Sequence, residues 1–211
     1  MLSDEQLAQF AEQGWIVTDD VFNAGEVEEL RQILQQPPFV ERSFSTHQAV
    51  HFLNITTLHP RFLQLAKDPR VVERLIPLLG PNIQLHHSKT CTKPSTPGTG
   101  EFKFHQDFAY YPHTNADVLA VMIMLDDATP ENGCMYVRPG SHQLGLLNHH
   151  DDSGYWAGEC VERGLYADTD ALVALTPKAG GMSIHHGLTL HGSGVNMSGK
   201  PRRGIVFACV L

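Results

Sequence analysis

The chain has 211 residues, 42% of them hydrophobic, which is enough for one substantial core and sets the expectation of a single domain over residues 1–211. A formal charge of −8 argues against nucleic acid or an anionic membrane as the main partner, and no apolar run approaches a membrane span. Cys91, Cys134, Cys160 and Cys209 show neither disulfide-framework nor zinc-knuckle spacing, and the polar start Met1-Leu2-Ser3-Asp4-Glu5 lacks a signal-peptide profile, so reduced thiols in a cytoplasmic setting are expected.

Ser3 and Gln6 form a capping-box pattern, and Leu7, Phe10 and Ala11 then share a helical face until Gly14 interrupts it. Trp15 to Val17 reads as a short strand. Asn23 caps a second helix carrying Val27, Leu30 and Leu34 on one side, and the helix ends before Pro37-Pro38. Phe62 to Ala66 predicts a short third helix. Asp68-Pro69 opens a fourth that runs to Gly80, with proline at the first helical position.

Beyond residue 80 the pattern changes to strands: Ile83 to Thr92, Val118 to Leu125, Met135 to Val137, Leu172 to Leu175, Met182 to Ile184 and Gly204 to Val210. Turn residues separate them, and the polar stretch Leu146 to Asp170 reads as a long connection. In Val118 to Leu125 both alternating sets are apolar, so this strand is expected to be buried on both faces. Helices first and short strands afterwards suggest a mainly β fold of the jelly-roll kind. Residues 1–80 would be a helical support region and 81–211 the jelly-roll core.

The chemistry centres on His105-Gln106-Asp107. On a strand, residues two apart share a face, so this pair offers two metal ligands together. A distant His191 would complete a face of two histidines and one carboxylate, the donor set of non-haem Fe(II) oxygenases. Arg202 follows His191 by eleven residues and suits bidentate binding of a carboxylate. Alone, an H-x-D pair is common, and a hydrogen-bonded strand-end pair is the bland reading of it.

The surrounding runs carry more. Phe104-His105-Gln106-Asp107 with Tyr110-Tyr111-Pro112, Asp127 to Cys134 leading into Val137 to His142, and His191 to Asn196 ending in Pro201-Arg202-Arg203 together resemble the phytanoyl-CoA dioxygenase family of Fe(II)/2-oxoglutarate oxygenases. The resemblance covers nearly the whole chain. It implies a double-stranded β-helix, cupin-like, with a helical layer on one sheet and iron at the mouth of the barrel. It implies His105, Asp107 and His191 as iron ligands, and Arg202 with Ser193 on the distal carboxylate of 2-oxoglutarate. Family members also place a cosubstrate contact at the position of Lys89, with Lys93 a looser alternative expected in the following loop.

Of Arg202 and Arg203 only one can point inward, because one residue of register reverses a strand side chain. The family spacing favours Arg202 and leaves Arg203 as a surface charge. His186 is expected to be buried and hydrogen-bonded, with His185 or His186 able to contact substrate. His142 and Asn196 are expected to brace turns, and His149-His150-Asp151-Asp152 to be a solvated loop. Tyr110, Tyr111 and Trp156 suit either the substrate pocket or ordinary packing.

The resemblance implies hydroxylation of a small-molecule substrate by O2, with 2-oxoglutarate converted to succinate and CO2. Related halogenases have a small residue where Asp107 stands, so the carboxylate favours hydroxylation. The alternatives are a catalytically silent member that binds a metal or metabolite, and a cupin-type metalloenzyme that does not use 2-oxoglutarate.

Overall fold

The computed structural model describes residues 1–39, 44–46 and 49–211. Helix α1 (Asp4–Gln13) starts at the anticipated capping box. The Ser3 hydroxyl accepts from the Gln6 backbone N–H at 3.2 Å, and the Gln6 side chain accepts from the Ser3 N–H at 3.0 Å. Gly14 ends the helix in the left-handed region at φ 83°, where a Cβ would also lie 2.5 Å from His142 and Thr189. Strand β1 (Trp15–Thr18) follows, then α2 (Ala24–Ile33), capped by Asn23 with Glu26 returning the bond.

Two short strands, β2 (Phe44–Thr46) and β3 (Ala49–His51), and the one-turn α3 (Ile55–Leu58) come next. Helices α4 (Pro60–Ala66) and α5 (Pro69–Leu79) both begin on proline. The remaining elements are β4 (Gln84–Lys93), β5 (Phe102–His105), the single turn α6 (Asp107–Tyr110), β6 (Val118–Met124), β7 (Met135–Val137), β8 (Val173–Leu175), β9 (Met182–His186), β10 (His191–Ser193) and β11 (Arg202–Val210).

The strands form two antiparallel sheets. One has seven strands in the order β1-β9-β6-β11-β4-β3-β2, and the other has four in the order β5-β10-β7-β8. Strands β1, β2 and β3 sit towards the edges of the larger sheet, so residues 1–80 do more than supply helices. No helix among the described residues is long and apolar enough to cross a membrane.

Strand β6 shows why the sequence is apolar on both of its faces. Leu119, Val121 and Ile123 pack with Phe10, Leu30, Phe62 and Leu75 of the helices, whereas Met122 and Met124 pack toward Met135, Tyr136 and Ala174 of the smaller sheet. The helices therefore cover the outer face of the large sheet, and the smaller sheet covers its inner face. Charged ties hold the helical layer in place. Arg70 bridges Asp68 and Glu26, each at 2.7 Å.

Phe62 is fully buried and meets Phe39 edge-on at 5.4 Å. Phe62→Ala is expected to cost about 3–5 kcal/mol in urea unfolding with an unchanged slope. A loss below about 1 kcal/mol would contradict the packing described.

Candidate active site

Strands β5 and β10 pair with His105 and His191 directly opposite one another. Directly opposed residues share a face, so both imidazoles emerge on the same side. Their rings lie 4.3 Å apart. Strand β5 ends at His105, and Gln106 is still extended (φ −110°, ψ 129°) before Asp107 opens α6. The expected H-x-D strand is thus a strand end followed by a helical turn. The two side chains still converge, with His105 Nε2 3.7 Å from Asp107 Oδ1. One nitrogen or oxygen each from His105, Asp107 and His191 lies within 4.8 Å of the others, a set that could hold a metal ion.

The histidines are prepared for that chemistry. His105 Nδ1 faces the Lys103 carbonyl at 2.7 Å, and His191 Nδ1 faces the Thr189 carbonyl at 2.9 Å. A carbonyl oxygen only accepts, so Nδ1 carries the proton and Nε2 presents its lone pair. Burial, then the charges of His105 and His185, hold His191 well below the usual imidazole range and therefore neutral. For Asp107, burial pushes the carboxyl up, but the contacts from His105 and His185 outweigh it and hold it well below the usual carboxylate range.

His185 on β9 is the contact that sequence reasoning left undecided. It is buried, with Nε2 3.2 Å from Asp107 Oδ2. This donor occupies the second carboxylate oxygen and fixes the plane of the group. His186 points elsewhere: it is half-buried, and its Nδ1 accepts from the Leu188 N–H at 3.0 Å.

Gln106, between the two candidate ligands, was not foreseen as a functional residue. Its amide donates to the carbonyls of Gly145 at 2.9 Å and Leu188 at 2.7 Å, and its Oε1 accepts from the Leu147 N–H at 2.8 Å. Its backbone N–H donates to His149 Nε2 at 3.1 Å. The buried His149 therefore braces the turn and does not sit in a solvated loop; its neighbours His150, Asp151 and Asp152 are exposed as expected. His149 stacks on Trp156, which meets Tyr110 edge-on at 5.0 Å.

An inner cavity joins the His105–Asp107–His191 face to Arg202, with Ser193, Lys89 and His185 also on its walls. Arg202 is 2% exposed. Its Nη1 donates to the Gly133 carbonyl at 2.8 Å and its Nη2 faces Cys91 Sγ at 3.6 Å, while its buried Nε has no partner among the described residues. No carboxylate among the described residues reaches it. Arg203 lies on the opposite face, as the register requires, but it is more than a surface charge. It grips Asp126 through Nε and Nη2, each at 2.8 Å. Lys93 is the last residue of β4 rather than a loop residue, directly opposite Arg202 and fully buried. Its ammonium donates to the Gly194 carbonyl. Asn196 braces the turn that follows, donating to the carbonyls of Pro94 at 2.8 Å and Lys200 at 2.7 Å.

An outer cavity of about 610 Å³ opens from the same face, bounded by His51, His87, Lys89, Tyr110 and Tyr111. Both tyrosines thus line the space open to a substrate. Trp156 is not on its wall and supports Tyr110 from behind.

A family model described as "Phytanoyl-CoA dioxygenase (PhyH)" matches residues 10–204. The chain belongs to the phytanoyl-CoA dioxygenase family. Within it, the chain is similar to a probable alpha-ketoglutarate-dependent hypophosphite dioxygenase of Stutzerimonas stutzeri. The two are 32% identical over 218 residues, covering 94% of this chain and 75% of the relative. The fold matches EctD from S. alaskensis, crystallised with 2-oxoglutarate and 5-hydroxyectoine, at a TM-score of 0.80 and 27% identity, covering 99% of this chain and 76% of that one. It also matches the epimerase SnoN, in complex with Fe3+, alpha ketoglutarate and nogalamycin RO. There the TM-score is 0.85 at 23% identity over 98% of this chain and 82% of that one, a likeness of fold.

Burial, then repulsion from Arg202, pushes the Lys93 ammonium down from 10.5 to about 7. Between those two values the unfolded chain holds a proton that the folded chain has released, so stability rises with pH by up to about 1.4 kcal/mol per unit. Below pH 7 both states are protonated and the cost is fully present. Lys93→Met removes this slope. Urea unfolding at pH 6, 7, 8 and 9 is expected to show the variant's relative stability fall by about 1–3 kcal/mol from pH 7 to 9. Parallel profiles would contradict the burial cost assigned to the Lys93 ammonium.

Proposed function

We propose that the chain is an Fe(II)- and 2-oxoglutarate-dependent dioxygenase that hydroxylates a small molecule with O2, releasing succinate and CO2. The observation that carries this reading is the buried Arg202, which has no acidic partner among the described residues and shares one cavity with a histidine–carboxylate–histidine face. A buried cation left unpaired is costly, and a carboxylate cosubstrate supplies the missing charge and a partner for Nε.

In this reading His105, Asp107 and His191 hold the iron through two Nε2 atoms and one carboxylate oxygen. The donor set fits, because each ring's Nδ1 is held by a backbone carbonyl, which leaves Nε2 to the metal, and Asp107 is held well below the usual carboxylate range. When bound, iron with 2-oxoglutarate supplies the O2-activating chemistry that oxidises a substrate C–H bond as the cosubstrate is decarboxylated. Arg202 anchors the distal carboxylate by a charge-assisted pair, and Ser193, buried on the same cavity wall, adds a hydroxyl donor. His185 keeps Asp107 oriented so that one oxygen faces the metal side. The carboxylate of Asp107 occupies the position a halide would need, which favours hydroxylation over halogenation.

The two sheets are read as a double-stranded β-helix, the jelly roll anticipated above, forming one domain with its helical layer. One relative is named a probable alpha-ketoglutarate-dependent hypophosphite dioxygenase, and EctD is crystallised with 2-oxoglutarate and 5-hydroxyectoine, which supports a small-molecule substrate for a chain of net charge −8.

With Fe(II), O2 and 2-oxoglutarate, succinate production is expected and a chelator abolishes it. His105→Ala is expected to lose iron binding. Arg202→Ala is expected to raise the apparent KM for 2-oxoglutarate about tenfold or more, the scale of a lost charge-assisted pair. Iron binding without any succinate would favour a silent metal-binding member. Turnover indifferent to Arg202→Ala would favour an enzyme that does not use 2-oxoglutarate.

A further inference from the structure

We infer that Lys89, at the position where the family resemblance implies a cosubstrate contact, is instead the anion-binding residue of the substrate site, and that the substrate carries a small oxyanion, a carboxylate or a phosphorus oxyacid. The inference rests on the reading of Arg202 as the cosubstrate anchor.

Strand β4 presents His87, Lys89, Cys91 and Lys93 at period two. Lys93 lies opposite Arg202, and Lys89 opposite Val206, four residues or about 13 Å further along the strand. Lys89 therefore stands at the metal end of the inner cavity, and it also lines the outer one. The outer space, about 610 Å³, suits a small molecule. Strand β11 on one side and a bridge to Leu53 on the other hold the Lys89 backbone, which makes it a rigid platform.

Charge bookkeeping then singles it out. The iron's two charges are matched by Asp107 and one cosubstrate carboxylate, and Arg202 is matched by the other. Lys103 in the outer cavity already has Glu159 at 3.4 Å, and Glu159 also meets Arg163 at 3.2 Å. Burial pushes His87 down to about 4, so it adds no charge at neutral pH. Of these cations Lys89 alone has neither an ion pair nor a hydrogen-bond partner among the described residues, although it lines both cavities together with His105 and Asp107. A neutral substrate filling this space would leave its ammonium desolvated and unpaired, whereas an oxyanion satisfies it.

The test uses protein loaded with Zn(II) in place of iron and saturated with 2-oxoglutarate. It is titrated calorimetrically with propionate, with methylphosphonate and with uncharged propionamide. At least one anion is expected to bind and the amide not; which anion binds separates a carboxylate substrate from a phosphorus one. Lys89→Met is expected to weaken that binding about tenfold or more while leaving 2-oxoglutarate affinity within about twofold, and Lys89→Arg to retain most of it. Binding of neither anion, equal binding of the amide, or a Lys89→Met variant that loses 2-oxoglutarate instead would overturn the assignment. If the wild-type protein takes up no 2-oxoglutarate, the dioxygenase reading itself falls.

Discussion

The pairing of β5 with β10 is the constraint on which the site depends. Those strands place His105 and His191 opposite each other in the smaller sheet, and the chain then turns sharply so that Asp107 meets them from α6. A slip of one residue would reverse one histidine and dismantle the set. Two features make the register rigid. Gly192 leaves room for Phe104, whose atoms would lie 2.8–3.0 Å from a Cβ. Gln106 ties the turn to Gly145, Leu147 and Leu188, the last just before His191. The two arms of the metal set are thereby pinned to each other through one side chain.

The second theme is unmatched positive charge inside the fold. Arg202 and Lys89 line the walls of one cavity system, Lys93 lies directly opposite Arg202 on β4, and none of the three has a carboxylate partner among the described residues. Arg203 shows the contrast: one residue further on, it is fully paired with Asp126 and serves structure. Buried cations cost stability unless something balances them. A fold that carries them in a cavity beside a metal-binding face is arranged to receive anionic ligands, and its helical layer and large hydrophobic sheet face supply the stability that this arrangement lowers.

Much of this was legible in the residues. Ser3 announces its capping box, Asn23 announces its helix cap, and β6 announces a strand covered on both sides, because local hydrogen bonding and periodicity leave direct marks. Arg202 over Arg203 followed from strand alternation once the family spacing was set beside it. The misses have physical causes. Strand β10 is His191-Gly192-Ser193, too short and too polar to show periodicity, and β2 and β3 are three residues each. Lys93 looked like a loop residue because Pro94 follows it, yet the strand reaches its last possible position. The roles of Gln106, His149 and His185 depend on partners far away in the chain, and no local pattern reports them.

The central claim is that one cavity joins a metal held by His105, Asp107 and His191 to a carboxylate held by Arg202. A crystal structure of the protein with Mn(II), standing in for iron, and 2-oxoglutarate tests it most directly. The account predicts the metal bonded to both Nε2 atoms and to one Asp107 oxygen, with the distal carboxylate on Arg202. Metal bound by a different set of residues, or a carboxylate that leaves Arg202 unpaired, would contradict it.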